Sequence, residues 1–122
     1  MPDINYTITG QVSKGALSQS FAASGITANI ATAGVLQVTL NLGTSVTQIS
    51  TASMGSLGLA FARSLATTTT HTVSFGRYSG GSLYETARLR AGEAAVLRLA
   101  AGDYAAKAAV EGTRLVLTVY ED

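Results

Sequence analysis

Apolar and polar residues alternate with a period of two in several short segments of this chain. The clearest segment, 35–42, alternates four apolar residues with three polar ones: Leu36, Val38, Leu40 and Leu42 against Gln37, Thr39 and Asn41. The segment 114–120 repeats the pattern, with apolar Leu115, Leu117 and Val119. Such alternation predicts β-strands that pack one face on a core and expose the other.

Glycine, often beside a polar or acidic residue, separates these segments at short intervals. Turns are predicted at 14–15, 32–34, 43–45, 79–82, 90–93, 101–103 and 110–112. Strands are predicted over 6–12, 26–30, 35–42, 46–49, 57–65 and 71–78, with three or four more within 83–122. After the predicted turn at 14–15, a short extended piece with Leu17 and Phe21 is predicted within 13–23. A short helical turn is the alternative there, and Gly25 would end it.

No segment shows a sustained apolar repeat at helical spacing, so the chain is predicted to be all-β. Eight to ten short strands with Gly-rich turns indicate an antiparallel β-sandwich, jelly-roll-like, or a closed barrel. A length of 122 residues and the lack of an internal linker predict a single domain over residues 1–122.

Charge is distributed unevenly along the chain. The net charge is +1, yet not one Asp, Glu, Lys or Arg occurs from Gly15 to Ala62. Protein surfaces usually carry many charged side chains. The uncharged stretch therefore indicates a surface covered by a partner, or else a Thr-rich β surface that stays hydrated without charge.

Composition also bears on partners and location. The near-zero net charge gives no general attraction to nucleic acid or to acidic lipid. No apolar run approaches the ~20 residues that a transmembrane helix needs. The start of the chain lacks a basic segment followed by an apolar one, so no signal peptide is expected and synthesis in a cytoplasm is predicted.

The residues that could carry chemistry are few. His71 is the only histidine and Cys is absent, whereas imidazole-based metal sites usually need two or more histidines. No Gly-x-Ser-x-Gly motif occurs, and a serine nucleophile needs a base within reach. The carboxylates that could pair for glycoside cleavage are Glu85, Glu93, Asp103 and Glu111, and the last three fall at predicted turns. We therefore predict no catalytic residues, no metal site, no cofactor and no enzymatic activity.

Three arginines are candidates for contact with a partner. Arg88, Arg90 and Arg98 are expected on neighbouring strands across the predicted turn 91–93, where they would form a small basic patch. Arginine binds carboxylates well, which suits an acidic partner surface. The alternative is ordinary cross-strand pairing with Glu85 and Glu93.

Three tyrosines, Tyr84, Tyr104 and Tyr120, fall in the same C-terminal part of the chain. An aromatic trio could stack on a sugar, and Tyr84 and Tyr104 are the candidate contact residues. Because tyrosine is common in strands, packing at the edge of the core is the alternative.

The stretch from Met54 to Asp122 resembles small virion proteins of tailed bacteriophages. The resemblance lies in a strand Leu57-Gly58-Leu59-Ala60-Phe61, in the segment RLRAGEAAVLRL at 88–99, and in YAAKA at 104–108 before a final strand. It departs at Ser64-Leu65-Ala66, where such sequences often have Asn-x-Asp. A contact made by those polar residues would therefore be missing here.

The resemblance implies a jelly-roll-like sandwich that belongs to a virus particle, and it implies no catalytic residues. We accordingly expect a capsid decoration (cement) protein that binds and stabilises the shell by surface contact, located in the virion and assembled in the host cytoplasm. The expected partners are the major capsid protein or other virion proteins and further copies of the chain, with a trimer as the simplest match to a three-fold lattice point. The alternatives are a tail- or fibre-associated virion protein and a carbohydrate-binding β-sandwich module.

Overall fold

A computed structural model describes residues 3–30, 34–51 and 54–121 of the chain. These residues form ten strands in antiparallel sheets, which confirms the predicted all-β fold. The chain divides into two compact units, Met1–Ala31 and Thr32–Asp122. In the described ranges, no helix is long and apolar enough to cross a membrane. That all of residues 1–122 act as one domain stays a prediction.

The first unit is a long β-hairpin. Strands β1 (Ile4–Lys14) and β2 (Leu17–Ala28) pair antiparallel, and Gly15 takes a positive φ of 57° in the predicted turn. The possible helical turn within 13–23 is wrong, because β2 runs unbroken through that region. Gly25, with a φ of 66°, lies opposite a shift in register between Tyr6 and Ile8 and bends the strand without ending it.

The second unit holds the other eight strands. They are β3 (Val35–Leu42), β4 (Thr47–Ile49), β5 (Leu57–Ser64), β6 (Val73–Ser79), β7 (Ser82–Leu89), β8 (Ala94–Arg98), β9 (Tyr104–Ala108) and β10 (Thr113–Glu121). Two four-stranded sheets result, with strand orders β3-β10-β5-β8 and β4-β9-β6-β7. Eight strands shared between two sheets in this order form a jelly roll, which confirms the predicted jelly-roll-like sandwich.

The chain changes sheets at almost every connection of this unit. Only β6 and β7 are consecutive strands that pair with each other, through the hairpin turn 79–82. Gly80 and Gly81 both have positive φ, 59° and 82°, the backbone that a two-residue hairpin turn of type I′ requires. The turns predicted at 90–93, 101–103 and 110–112 are confirmed and connect strands of opposite sheets. The turn predicted at 32–34 falls partly outside the described residues.

The core of the second unit lies between its two sheets. Leu115, Leu117 and Val119 of β10 are completely buried, as the period-two pattern predicts. The neighbouring strands add further buried residues from both sheets: Leu42, Ile49, Ala60, Ala62, Val73, Phe75, Leu89, Tyr104, Ala106 and Ala108. Because strands alternate sides, the same pattern leaves a polar outer face on β3, where Gln37, Thr39 and Asn41 are exposed.

Candidate interaction surfaces

The hairpin of β1 and β2 has one apolar face and one polar face. Residues directly opposite each other in an antiparallel pair share a face. The apolar hairpin face consists of the register pairs Ile4–Ala28, Tyr6–Ile26, Ile8–Ala23, Gly10–Phe21, Val12–Gln19 and Lys14–Leu17. The polar hairpin face consists of the pairs Asn5–Thr27, Thr9–Ala22, Gln11–Ser20 and Ser13–Ser18.

The apolar hairpin face becomes more exposed toward the turn. Ile4, Tyr6 and Ile26, near the base, are partly buried. Nearer the turn, Val12 is 50% exposed and Phe21 62% exposed, and Ile8 and Leu17 are exposed as well. Large apolar side chains grouped on one face at this exposure are typical of a surface that contacts another molecule.

Three further features of the hairpin matter for binding. Asp3 closes its base, because the Ile30 amide donates to Asp3 Oδ2 at 3.0 Å and the Asp3 amide donates to Asn29 Oδ1 at 3.3 Å. In a two-stranded sheet each strand has a partner on one side only, so β1 and β2 each keep one edge outside the ladder. Lys14 is the only Lys, Arg, Asp or Glu from Ile4 to Ala28.

The edges of the jelly-roll unit differ in charge. Strands β3 and β4 are the end strands at one side of the two sheets, and they carry no charged residue. The end strands at the other side, β7 and β8, carry Glu85, Arg88 and Arg98. Natural sheets commonly protect an end strand from unwanted pairing by placing charges on it. The β3–β4 edge lacks this protection.

Two of the candidate carboxylates, Glu111 and Glu93, stabilise turns by accepting hydrogen bonds. Glu111 accepts hydrogen bonds from the Thr44 amide at 3.0 Å and from Thr44 Oγ1 at 3.2 Å, which joins the β9–β10 turn to the β3–β4 turn. Glu93 accepts a hydrogen bond from the Arg90 amide within the turn 90–93.

Within the described ranges, no three His, Asp or Glu side chains form a group that could hold a metal ion. His71 lies just before β6, partly exposed, and its amide donates to the Thr68 carbonyl.

The three candidate arginines lie on two consecutive strands and the turn between them. Arg88 lies on β7, Arg98 on β8 and Arg90 in the turn. The strands β7 and β8 belong to different sheets and do not pair with each other. Each strand pairs instead with a partner in its own sheet, as β7 does with β6. A role for Arg88, Arg90 or Arg98 in partner contact stays a prediction.

Arg88 pairs with Glu85, as the alternative interpretation expected, but along one strand instead of across two. Arg88 Nε lies 2.9 Å from Glu85 Oε1, and both side chains are accessible to solvent. The hydrogen bond from Arg88, helped by one from Ser74, holds the pKa of Glu85 below its ordinary value. The same pairing raises the pKa of Arg88.

The three tyrosines have different surroundings. Tyr84 is 60% exposed on β7, whereas Tyr104 on β9 is only 6% exposed. The Tyr104 ring stacks on Phe75 with centroids 5.7 Å apart, and its hydroxyl donates to the Ala100 carbonyl at 2.7 Å. Tyr120 lies in the other sheet, edge-on to Phe61. A three-ring sugar platform is therefore not formed, and Tyr104 packs in the core, which leaves Tyr84 as the aromatic contact candidate.

Reading the sequence strand by strand missed the apolar hairpin face. Its signal is present, because Ile8 and Val12 before the Lys14-Gly15 turn, and Leu17 and Phe21 after it, are spaced by an even number of residues. Only pairing about that turn shows that they share one side.

The chain matches no protein-family model, no curated protein and no solved structure. The fold and the surfaces described above are therefore the grounds for a functional proposal.

Proposed function

We propose that this chain is a structural protein of a bacteriophage particle, a capsid decoration protein that binds the shell through uncharged strand edges. The observation that carries the proposal is the position of the uncharged stretch 15–62. It supplies strand β2 of the hairpin, the β3–β4 edge of the jelly roll and most of β5. The charge-free residues thus include three of the six described strands that lie at sheet edges, β2, β3 and β4. The resemblance carried by 57–61, 88–99 and 104–108 supports the same function.

Strand edges explain how such a protein could bind a shell without catalysing a reaction. An edge offers a row of backbone donors and acceptors, and an added strand or loop of a partner can pair with it. Side chains such as Gln37, Thr39 and Asn41 add hydrogen bonds beside that row. Attachment of this kind needs no ion pairs, so its strength should change little with ionic strength.

Repetition would strengthen a weak contact. A shell presents the same site many times, and linked copies of the decoration protein rebind from a high effective concentration. Modest affinity at each edge is then sufficient for stable attachment.

The test begins with particles purified from a culture that makes this chain, in which mass spectrometry counts its copies. Hundreds of copies per particle are expected for a shell protein. A few dozen would favour the tail- or fibre-associated alternative. Absence from the particles would contradict the proposal.

A binding assay on shells stripped of the protein then locates the contact. We expect Thr39→Lys, which places a charge on the β3 edge, to weaken rebinding at least tenfold. Thr86→Lys places the same charge on exposed β7 and is the matched control, expected to rebind as the unmodified chain does. Equal loss in both variants, or rebinding that falls steeply with added salt, would argue against the uncharged edge.

A further inference from the structure

The apolar hairpin face needs a cover that the hairpin does not supply. An isolated two-stranded sheet is at best marginally stable in water. Here the part near the turn leaves Ile8, Val12, Leu17 and Phe21 exposed on one side. The polar hairpin face, by contrast, suits water. We infer that a second copy of this chain covers the apolar hairpin face, hairpin against hairpin, to form a two-fold symmetric dimer.

Charge is the first reason to choose a second copy. A surface that meets its own copy brings like charges together, so it must be neutral or carry both signs. The apolar hairpin face has one charged residue, Lys14, and that residue lies at the turn. Nothing on this face selects an acidic or a basic partner, and nothing on it opposes self-association except at its end.

Shape is the second reason. Phe21 and Gly10 are direct cross-strand neighbours, so the largest exposed side chain lies beside a position with no side chain. A Cβ atom placed on Gly10 would meet no atom within 4 Å, which shows open space above that glycine. A symmetric interface pairs each surface feature with its complement on the other copy. Two hairpins related by a two-fold axis can therefore place each Phe21 ring over the partner copy's Gly10.

Area sets the expected strength. Strands of 11 and 12 residues at ~3.4 Å per residue give a face about 37 Å long. Two strands about 10 Å wide in all then offer roughly 350–400 Å² per copy, half of the ~800 Å² per partner in a standard stable interface. The free chain should therefore dimerise reversibly, with a dissociation constant in the micromolar range or weaker.

The test is sedimentation velocity of the whole chain from ~1 µM to ~1 mM. The unmodified chain is expected to shift from monomer to dimer over this range. Gly10→Val fills the open space, and Phe21→Ser removes the ring. Each should raise the dissociation constant at least tenfold. Ser20→Val is the control for Gly10→Val, because it introduces a valine on the polar hairpin face, next to Phe21 in sequence. This variant should dimerise as the unmodified chain does.

Proximity can be checked separately, because the chain has no cysteine. A short bismaleimide should join two copies of Val12→Cys, whose side chain lies on the apolar hairpin face. Gln11→Cys, one residue away on the polar hairpin face, should stay monomeric on a denaturing gel. Equal cross-linking of both variants would indicate random collision and overturn the inference. Circular dichroism of each variant verifies that the sheets remain folded.

The inference goes beyond the proposed function and does not depend on it. A chain that is monomeric up to ~1 mM, or one in which Gly10→Val and Phe21→Ser dimerise like the unmodified chain, overturns the dimer. Hundreds of copies in particles would still support shell attachment. Conversely, a dimer that is absent from particles would keep the inference and contradict the decoration role.

Discussion

Glu85 and Arg88 lie three residues apart on β7, yet their side chains meet on one side of the sheet. The guanidinium donates two hydrogen bonds to the carboxylate, at 2.9 and 3.1 Å. Residues three apart on a regular strand point to opposite sides. Here Thr86 is an extra residue, because Gly76 pairs with Glu85 while Phe75 pairs with Ala87. This β-bulge turns Glu85 to the side of Arg88.

We predict that Arg88→Gln raises the pKa of Glu85 toward its ordinary value of 4.5. The hydrogen bond from Arg88 is the largest cause of the depressed pKa, and the one from Ser74 is the second. Ser74→Ala should therefore raise the pKa by less. Carboxyl-detected NMR titration measures both shifts. Arg98→Gln, in the other sheet, is the control and should leave the Glu85 pKa unchanged.

The depressed pKa of Glu85 determines how the stability of the protein depends on pH. The contribution of the pair to stability is present above pH 4.5 and is lost as the pH falls through the lower folded-state pKa of Glu85. The effect should be small, because both side chains face solvent. An Arg88→Gln variant whose Glu85 titrates as in the unmodified chain would show that the pair does not persist in solution.

The same bulge makes Gly76 sensitive to a single added methyl group. A Cβ at Gly76 would collide with the Tyr84 carbonyl oxygen and lie 2.8 Å from the Thr86 amide nitrogen. Both are backbone atoms, so no side-chain rotation relieves the contact. We predict that Gly76→Ala lowers the free energy of unfolding by about 2–4 kcal/mol.

Chemical denaturation followed by circular dichroism measures this change. Gly10→Ala is the matched control, because its added methyl meets nothing within 4 Å, and it should change stability by less than about 0.5 kcal/mol. A Gly76→Ala protein as stable as the unmodified chain would mean that the bulge is not required.

Tyr104 and Tyr84, which lie in the same sheet, should differ strongly in the effect of truncation on stability. Tyr104→Ala removes a buried ring stacked on Phe75 and should cost about 3–5 kcal/mol. Tyr104→Phe loses only the hydrogen bond to the Ala100 carbonyl and should cost about 1 kcal/mol. Tyr84→Ala removes an exposed ring and should stay within about 0.5 kcal/mol.

Thermal and chemical unfolding provide these values, and a glycan array provides the functional control. We expect no glycan binding by the unmodified chain. Array binding that Tyr84→Ala abolishes without loss of stability would favour the carbohydrate-binding alternative over the structural one.

Local patterns along the chain predict most of the strands and the faces that they turn to the core. Alternation over 35–42 and 114–120 predicts β3 and β10, and the structure buries the predicted face of β10 completely and that of β3 in part. The turns 79–82, 90–93, 101–103 and 110–112 were also readable, because glycine is the residue that adopts positive φ without strain. Strands and turns depend on residues only a few positions apart, so the linear sequence is enough to predict them.

Local patterns do not show which strands pair, because pairing depends on contacts between distant parts of the chain. A period-two strand has the same pattern in either sheet, so nothing local reveals that β7 and β8 leave the turn 90–93 for opposite sheets. That long-range pairing places Arg88 and Arg98 in different sheets. It also places Tyr104 inside the core while Tyr84 stays in water. The same pairing, by register about Gly15, gathers Val12 and Phe21 onto one apolar face.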